Sequence, residues 1–176
     1  AMVATIAATT PALPADKPYH VQLGWIADAR VTRRLPDTLV VDIVERQPTA
    51  IWQYRRQLAL IDQKGVVIAP VEPAAMPELP IVIGPGANGQ VDALNALLAE
   101  APALKPMLAG ATWVGERRWD LRFQSGEVLA LPEGAAAAVT ALKDFARRDS
   151  QYRLLGQGFV RFDMRVPGRI LFGSSR

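Results

Sequence analysis

The 176-residue chain has no cysteine and a single histidine. Without cysteine there are no disulfides, thiolate metal sites or cysteine nucleophiles. One histidine and no thiol cannot build the usual zinc site. His20 sits between Tyr19 and Val21 with no orienting partner in view, so it reads as a surface residue and not as a triad base. An excess of one charge is also missing. Twenty basic residues face seventeen acidic ones, a net charge of +3, which leaves no concentrated basic face for nucleic acid. No apolar run approaches the roughly 20 residues of a membrane span. Met2–Ala8 is too short for a signal peptide and has no basic region before it. No internal repeat is visible. What remains is a chain that is half apolar, long enough for one or two domains with a real core.

Little in it suggests catalysis. The carboxylates form no evident pair, and no P-loop lysine motif occurs. Gly84, Gly86 and Gly89 have the spacing of a dinucleotide fingerprint between a strand and a helix. However, Pro85 lies within the turn, and the following strand offers no acid at its end, as that fingerprint requires. The loop reads as a connector. No cofactor and no metal are expected. The tryptophans at 25, 52, 113 and 119 read as packing residues.

The periodicities describe an α+β chain. Ile26–Arg33 and Leu39–Val44 alternate with period two, as half-buried strands do, and Leu35-Pro36-Asp37-Thr38 turns between them. Gln47-Pro48 ends this hairpin. A second region opens with strands at 50–54 and 57–62, a turn at Asp62-Gln63-Lys64-Gly65 with glycine suited to positive φ, and a strand from Val66. Residues 70–80 form a proline-rich loop, followed by a short strand at 79–84. A helix is expected over 91–100, with Val91, Leu94, Leu97 and Leu98 on one face. A second short helix follows at 103–108, then strands at 111–116, 119–123 and 127–131. The clearest helix spans 134–148. Its alanines favour it, Val139, Leu142 and Phe145 form its core stripe, and Arg147-Arg148 suit its carboxyl end. Strands at 159–165 and 170–173, joined by Val166-Pro167-Gly168-Arg169, close the chain. Asp163 and Arg165 share a face and can form a local ion pair.

That last hairpin is the candidate site. A sheet's final strand presents unpaired backbone groups along one edge. Another chain can add a strand there, its backbone supplying affinity and its side chains choice. Arg165 and Arg169 flank the turn, and Ile170 and Phe172 supply apolar anchors; arginine with an aromatic is typical of binding hot spots. An acidic partner would suit the arginines.

The pattern W-I-x-x-A-x-V-x-R-x-L-P-x-T-L-x-V-x-I-x-E-R-x-P-x-A-x-W, from Trp25 to Trp52, resembles the end of a polypeptide-transport-associated (POTRA) domain of the cell-division FtsQ/DivIB family. W-x-Y-x-x-x-L-x-L-I-D-x-x-G-V-V from Trp52 and R-W-D-L-R-F-x-S-G-x-V-L-A-L-P from Arg118 are similar to the same family, and the resemblance covers about residues 24–173. It implies a POTRA-like domain over residues 1–48 and a larger mixed or antiparallel sheet domain over 49–176, with helices on one face. Residues 1–23 are too few for the strand and two helices that should precede the hairpin, so the POTRA part reads as incomplete.

The resemblance further implies a non-enzymatic scaffold on the periplasmic side of the bacterial inner membrane, at the division septum, anchored by a helix outside these 176 residues. Its partners would be FtsB, FtsL and other divisome proteins. Phe162-Asp163-Met164-Arg165 resembles the family segment after which FtsB pairs as a β-strand. Arg165 is then the matched basic contact, and Val166 stands where some members have an aromatic. Gly168 and Gly173 correspond to turn and strand-end glycines, and Phe172 to a late aromatic anchor. The POTRA surface that recruits other division proteins would lie near Val40, Asp42 and Val44. Two other readings are kept: a POTRA module of outer-membrane assembly or two-partner secretion, and a small enzyme holding phosphate in the 84–89 loop.

Overall fold

A computed structural model of the chain describes residues 24–174. The expectations for residues 1–23, His20 among them, lie outside the described residues. The structure divides between Gln47 and Pro48 into two compact units.

In the first unit, β1 (Ile26–Arg34) and β2 (Thr38–Glu45) form an antiparallel pair. The turn falls at Leu35-Pro36-Asp37, and the open end is tied by the Arg46 N–H, which donates to the Trp25 carbonyl at 2.7 Å. Asp28, Arg30 and Thr32 stand opposite Val44, Asp42 and Val40, as the alternation of both segments requires.

The second unit is one nine-stranded mixed sheet in the order β11-β10-β9-β8-β7-β6-β3-β4-β5. Its strands are β3 (Ala50–Tyr54), β4 (Gln57–Ile61), β5 (Val67–Pro70), β6 (Ile81–Ile83), β7 (Leu108–Val114), β8 (Arg118–Phe123), β9 (Val128–Ala130), β10 (Phe159–Asp163) and β11 (Leu171–Ser174). Two helices, α1 (Val91–Ala99) and α2 (Ala135–Tyr152), make the crossovers from β6 to β7 and from β9 to β10, each joining parallel neighbours. Antiparallel neighbours are instead joined by short connections, from two residues between β3 and β4 to seven between β10 and β11. Arg55 and Arg56, between the paired Tyr54 and Gln57, both have positive φ, the geometry of a two-residue hairpin loop. Gly115 and Glu116, also at positive φ, open the three-residue loop between the paired Val114 and Arg118.

Both helices contribute to one core, against Trp119, Leu121 and Phe123 of β8, Leu129 of β9 and Phe162 of β10. On α1 the buried residues are the expected Val91, Leu94, Leu97 and Leu98. On α2 they are Ala138, Ala141, Leu142 and Phe145, and Val139 is only partly covered. Small residues let the helix lie close to the sheet on that side. Helix α2 also runs four residues past Arg148, ending at Arg153 in the left-handed conformation. Arg147 and Arg148 therefore pair with Asp144 one turn back and do not cap the helix end. No described helix is long and apolar enough to cross a membrane.

Two segments depart from their sequence patterns. The short helix expected at 103–108 is a single 3-10 turn, Lys105–Met107, because Pro102 and Pro106 cannot supply the N–H bonds of a longer helix. Strand β7 then begins at Leu108 and not at 111. It carries Gly110, where a Cβ would stand 2.6 Å from the Ile81 carbonyl oxygen of β6, so the neighbouring strand requires glycine there.

The Asp62–Gly65 turn is fixed from inside. The Asp62 carboxylate accepts from the Lys64 and Val66 N–H groups, both at 2.9 Å. The Gly65 carbonyl accepts from the Asn88 side chain at 3.1 Å. At Gly65 φ is +76°, and a Cβ would lie 1.8 Å from the Asn88 carbonyl oxygen. Gly65→Ala is therefore expected to destabilise the fold by roughly 3 kcal/mol, combining left-handed strain with a backbone clash. Denaturant unfolding followed by circular dichroism would measure it; a variant as stable as the parent would contradict this account of the turn.

Candidate functional site

The expected hairpin is present, and its second strand is a sheet edge. β11 pairs antiparallel with β10, with Asp163 opposite Leu171, Phe162 opposite Phe172 and Arg161 opposite Gly173. Among the described residues nothing pairs with the other side of β11. The opposite edge, β5, is of another kind: it ends in Pro70, and the Val71 N–H turns back to the Leu58 carbonyl at 2.9 Å. A proline on an edge blunts it. β11 contains no such residue.

The side chains of β11 are unusual for a strand so near a core. Phe172 is 53% exposed and Leu171 57%. Phe172 lies on the helix side, its ring 5.7 Å from Phe162 and 5.2 Å from Phe159, so its inner part rests on the core and its outer part is bare. Leu171 points to the other face. Ile170, expected as an anchor within the strand, precedes β11 and packs half-buried against the core. Leu171 is the exposed apolar residue in its place. Alternation with Phe172 is the signal that puts Leu171 on the opposite face.

The turn carries the charged part. Arg165 donates from Nε and Nη2 to the Asp163 carboxylate at 2.6–2.9 Å, the ion pair expected from the spacing. The Arg165 N–H also donates to Asp163 Oδ1 at 3.0 Å. The hydrogen bonds from Arg165 hold the Asp163 carboxyl below its ordinary value against the opposing effect of burial. The Arg165 guanidinium is in turn made harder to deprotonate by Asp163. Val166, Pro167, Gly168 and Arg169 are exposed. Gly168 has φ +73°, which a turn closing three residues before a strand places naturally on glycine. Gly173 needs no such freedom, since a Cβ there would meet only ordinary contacts with Arg161.

Two buried acids that sequence reasoning passed over support this hairpin. Asp120 on β8 is 8% exposed and accepts from Arg118 Nε at 3.3 Å and from Arg161 Nη2 at 3.0 Å, reaching over β9 to β10. Glu127 is 1% exposed and accepts from Ser125 Oγ and, at 2.7 Å, from the Gly156 N–H in the connection leading to β10. Each was only a polar letter in an alternating stretch. Their partners lie 41 and 29 residues away, and no local pattern reports that.

Of the other sequence-marked residues, Val40 is half-covered, while Asp42 and Val44 are exposed on one face of β2. The Gly84–Gly89 loop does precede a parallel crossover, but its shape has structural causes. Trp52 Nε1 donates to the Gly84 carbonyl at 3.0 Å, and a Cβ at Gly84 would sit 2.8 Å from the Trp113 carbonyl oxygen. Among the described residues no group of three acids or histidines is arranged to hold a metal ion.

Glu127 generates a pH prediction. Burial raises its pKa, but the hydrogen bonds from Ser125, its own N–H and Gly156 outweigh this and hold it below the ordinary 4.5. A depressed carboxyl contributes stability above the unfolded value and loses it as pH falls through the folded value. Glu127→Gln is thus expected to lower stability at pH 7 by about 1–3 kcal/mol. It should also flatten the acid limb below pH 4.5. Thermal unfolding from pH 7 to pH 3 would show it; parallel curves for parent and variant would refute it.

Both units resemble known proteins. The family model described as cell division protein FtsQ/DivIB, C-terminal, matches residues 50–165, and that of the FtsQ-type POTRA domain matches 21–46. Cell division protein FtsQ of Zymomonas mobilis is 56% identical over 148 residues, 84% of this chain and 46% of that protein. The protein of the same name from Novosphingobium aromaticivorans is 48% identical over 164 residues, 93% of this chain and 51% of that one. That of Caulobacter vibrioides is 39% identical over 154 residues, 87% and 50%. The chain thus spans about half the length of these relatives. Among solved structures, the major extracytoplasmic domain of the cell division protein DivIB from Geobacillus stearothermophilus aligns with a TM-score of 0.38 at 16% identity, covering 64% of this chain and 92% of that one.

Proposed function

This chain belongs to the FtsQ/DivIB family of cell division proteins, and from that premise we propose that it is the periplasmic part of a non-enzymatic divisome scaffold whose β11 edge receives a strand from FtsB. FtsL and other septation proteins join through the same assembly, on the outer side of the inner membrane at the division septum. The observation that carries the reading is the open side of β11 among the described residues, with Leu171 and Phe172 both more than half exposed. Backbone pairing along that edge supplies affinity. Phe172 offers a half-seated ring for an apolar partner side chain to cover, and Leu171 does the same on the other face. Arg165 and Arg169 beside the turn favour an acidic residue at the partner strand's end. Val166, Gly168 and Ile170 act through shape: Val166 as exposed apolar surface, Gly168 as the turn, Ile170 as the seat beneath the strand. In the first unit, the face bearing Val40, Asp42 and Val44 is the proposed recruiting surface for other division proteins. A POTRA module of a secretion system is the weaker reading, because the FtsQ/DivIB C-terminal family model lies over the sheet domain, residues 50–165.

Titration of the chain with a peptide covering the C-terminal segment of FtsB from the same organism tests the edge. The double variant Arg165→Glu/Phe172→Ala should weaken binding by thirtyfold or more, about 2 kcal/mol, as expected for hot-spot residues. Leu171→Lys, which changes an exposed residue and leaves the core intact, should weaken it as well. Unchanged affinity in both variants would reject the site.

A further inference from the structure

The β10–β11 turn borders a second surface. Between α2 and the segment Met164–Gly168 runs an open groove of about 880 Å³, room for several side chains and not one. Its α2 wall is made of Ala136, Ala137, Thr140 and Ala141, so another backbone can come close. Its far wall is Met164, Pro167 and Gly168, only a few residues before Leu171. Its rim carries Lys143, Arg147 and Arg148 against one lining carboxylate, Asp144. Lys143 is paired with Glu100. Arg147 binds Asp144 through Nη2, and Arg148 binds it through Nε at 3.0 Å. One carboxylate shared by two guanidiniums leaves one positive charge uncompensated and most of their N–H donors unspent. Arg169, with no ion pair among the described residues, adds charge at the turn.

We propose that this groove takes an acidic, small-residue-rich segment of the same chain that pairs with β11, continuing from the end of the added strand that lies beside Leu171. The inference rests on the β11 reading. Two features favour this occupant over an unrelated one: continuity of the groove with the edge through Pro167 and Gly168, and the charge that the groove lacks. A chain leaving the edge at Leu171 crosses the turn and meets the alanine wall with the arginines on its flank. Such an extension doubles as a register lock. Backbone pairing at an edge tolerates slippage, whereas an acidic segment seated in the groove permits one register.

The experiment uses the FtsB peptide in two lengths, full and trimmed at the end beside Leu171, with unaltered chain, Arg147→Glu/Arg148→Glu, Ala137→Trp and the edge variant Leu171→Lys. The full peptide should bind the unaltered chain about ten times more tightly than the trimmed one, a step of about 1.4 kcal/mol. The charge reversal and the filled groove should each remove that advantage and leave the trimmed peptide's affinity unchanged. A photoreactive benzoylphenylalanine at position 143, on the rim of the groove, should crosslink to the acidic segment. Equal affinity for both lengths in all three groove backgrounds, with binding still lost in Leu171→Lys, overturns the groove and keeps the edge. No binding of either peptide to the unaltered chain overturns the edge reading and the groove with it.

Discussion

The packing of Phe145 holds α2 against the strands that lead to the sheet's edge. This fully buried ring on α2 stands 6.0 Å from Phe123 of β8 and 5.1 Å from Phe162 of β10. Such pairs contribute about 0.5–1.5 kcal/mol each beyond the area they bury. Their larger effect is geometric. The crossover from β9 to β10 is a helix that must lie across β8, β9 and β10 for β10 to enter the sheet parallel to β9, and Phe145 holds it there. From Phe162 the contact continues to Phe159 and Phe172, so one row of rings runs from the core to the outermost strand. The edge is firm at its base and bare at its rim.

The opposite face of the sheet does the same work with charge. Asp120 gathers Arg118 and Arg161 on it, and Asp163 gathers Arg165 at its end. Asp120 is nearly buried, and a buried carboxylate is tolerable only when paired and hydrogen-bonded. Its two arginines meet that need and tie β10 to β8 across the narrow β9. Glu127 adds a third tie, to the loop before β10. An added strand needs a rigid template, because any ordering of the edge on binding subtracts from affinity. These acids provide the rigidity without covering the edge.

Sequence and structure agree best where the code is short-range. The turn between β1 and β2, the carboxylate-capped Asp62–Gly65 turn, the apolar face of α1 and the Asp163–Arg165 pair are each written in one local stretch of sequence, although Asn88 also holds Gly65 from 23 residues away. Disagreements arise where a distant strand intervenes. Gly110 belongs inside β7 because Ile81 passes close to it, and Val139 packs at the margin of the core, where Ala138 and Ala141 join Leu142 and Phe145 on the buried face of α2. Ile170 leaves the strand for the core, and Leu171 becomes the exposed residue. Ile170 and Phe172 share the core side wherever the strand begins; what a linear pattern does not report is that the sheet ends at β11, which leaves Phe172 half bare and Leu171 exposed on the other face.

The amino-acid sequence alone determined the family, through spaced motifs that span both units, and the class of fold, through periods of two and 3.6 that survive any tertiary context. It also determined that thiol chemistry has no part here. Tertiary structure alone decided that β11 is outermost, that β5 is the blunted edge, that Asp120 and Glu127 brace β10, and that α2 and the Met164–Gly168 turn enclose a basic groove. Each of these joins residues tens of positions apart, and a linear pattern carries no record of which strand finally lies beside which.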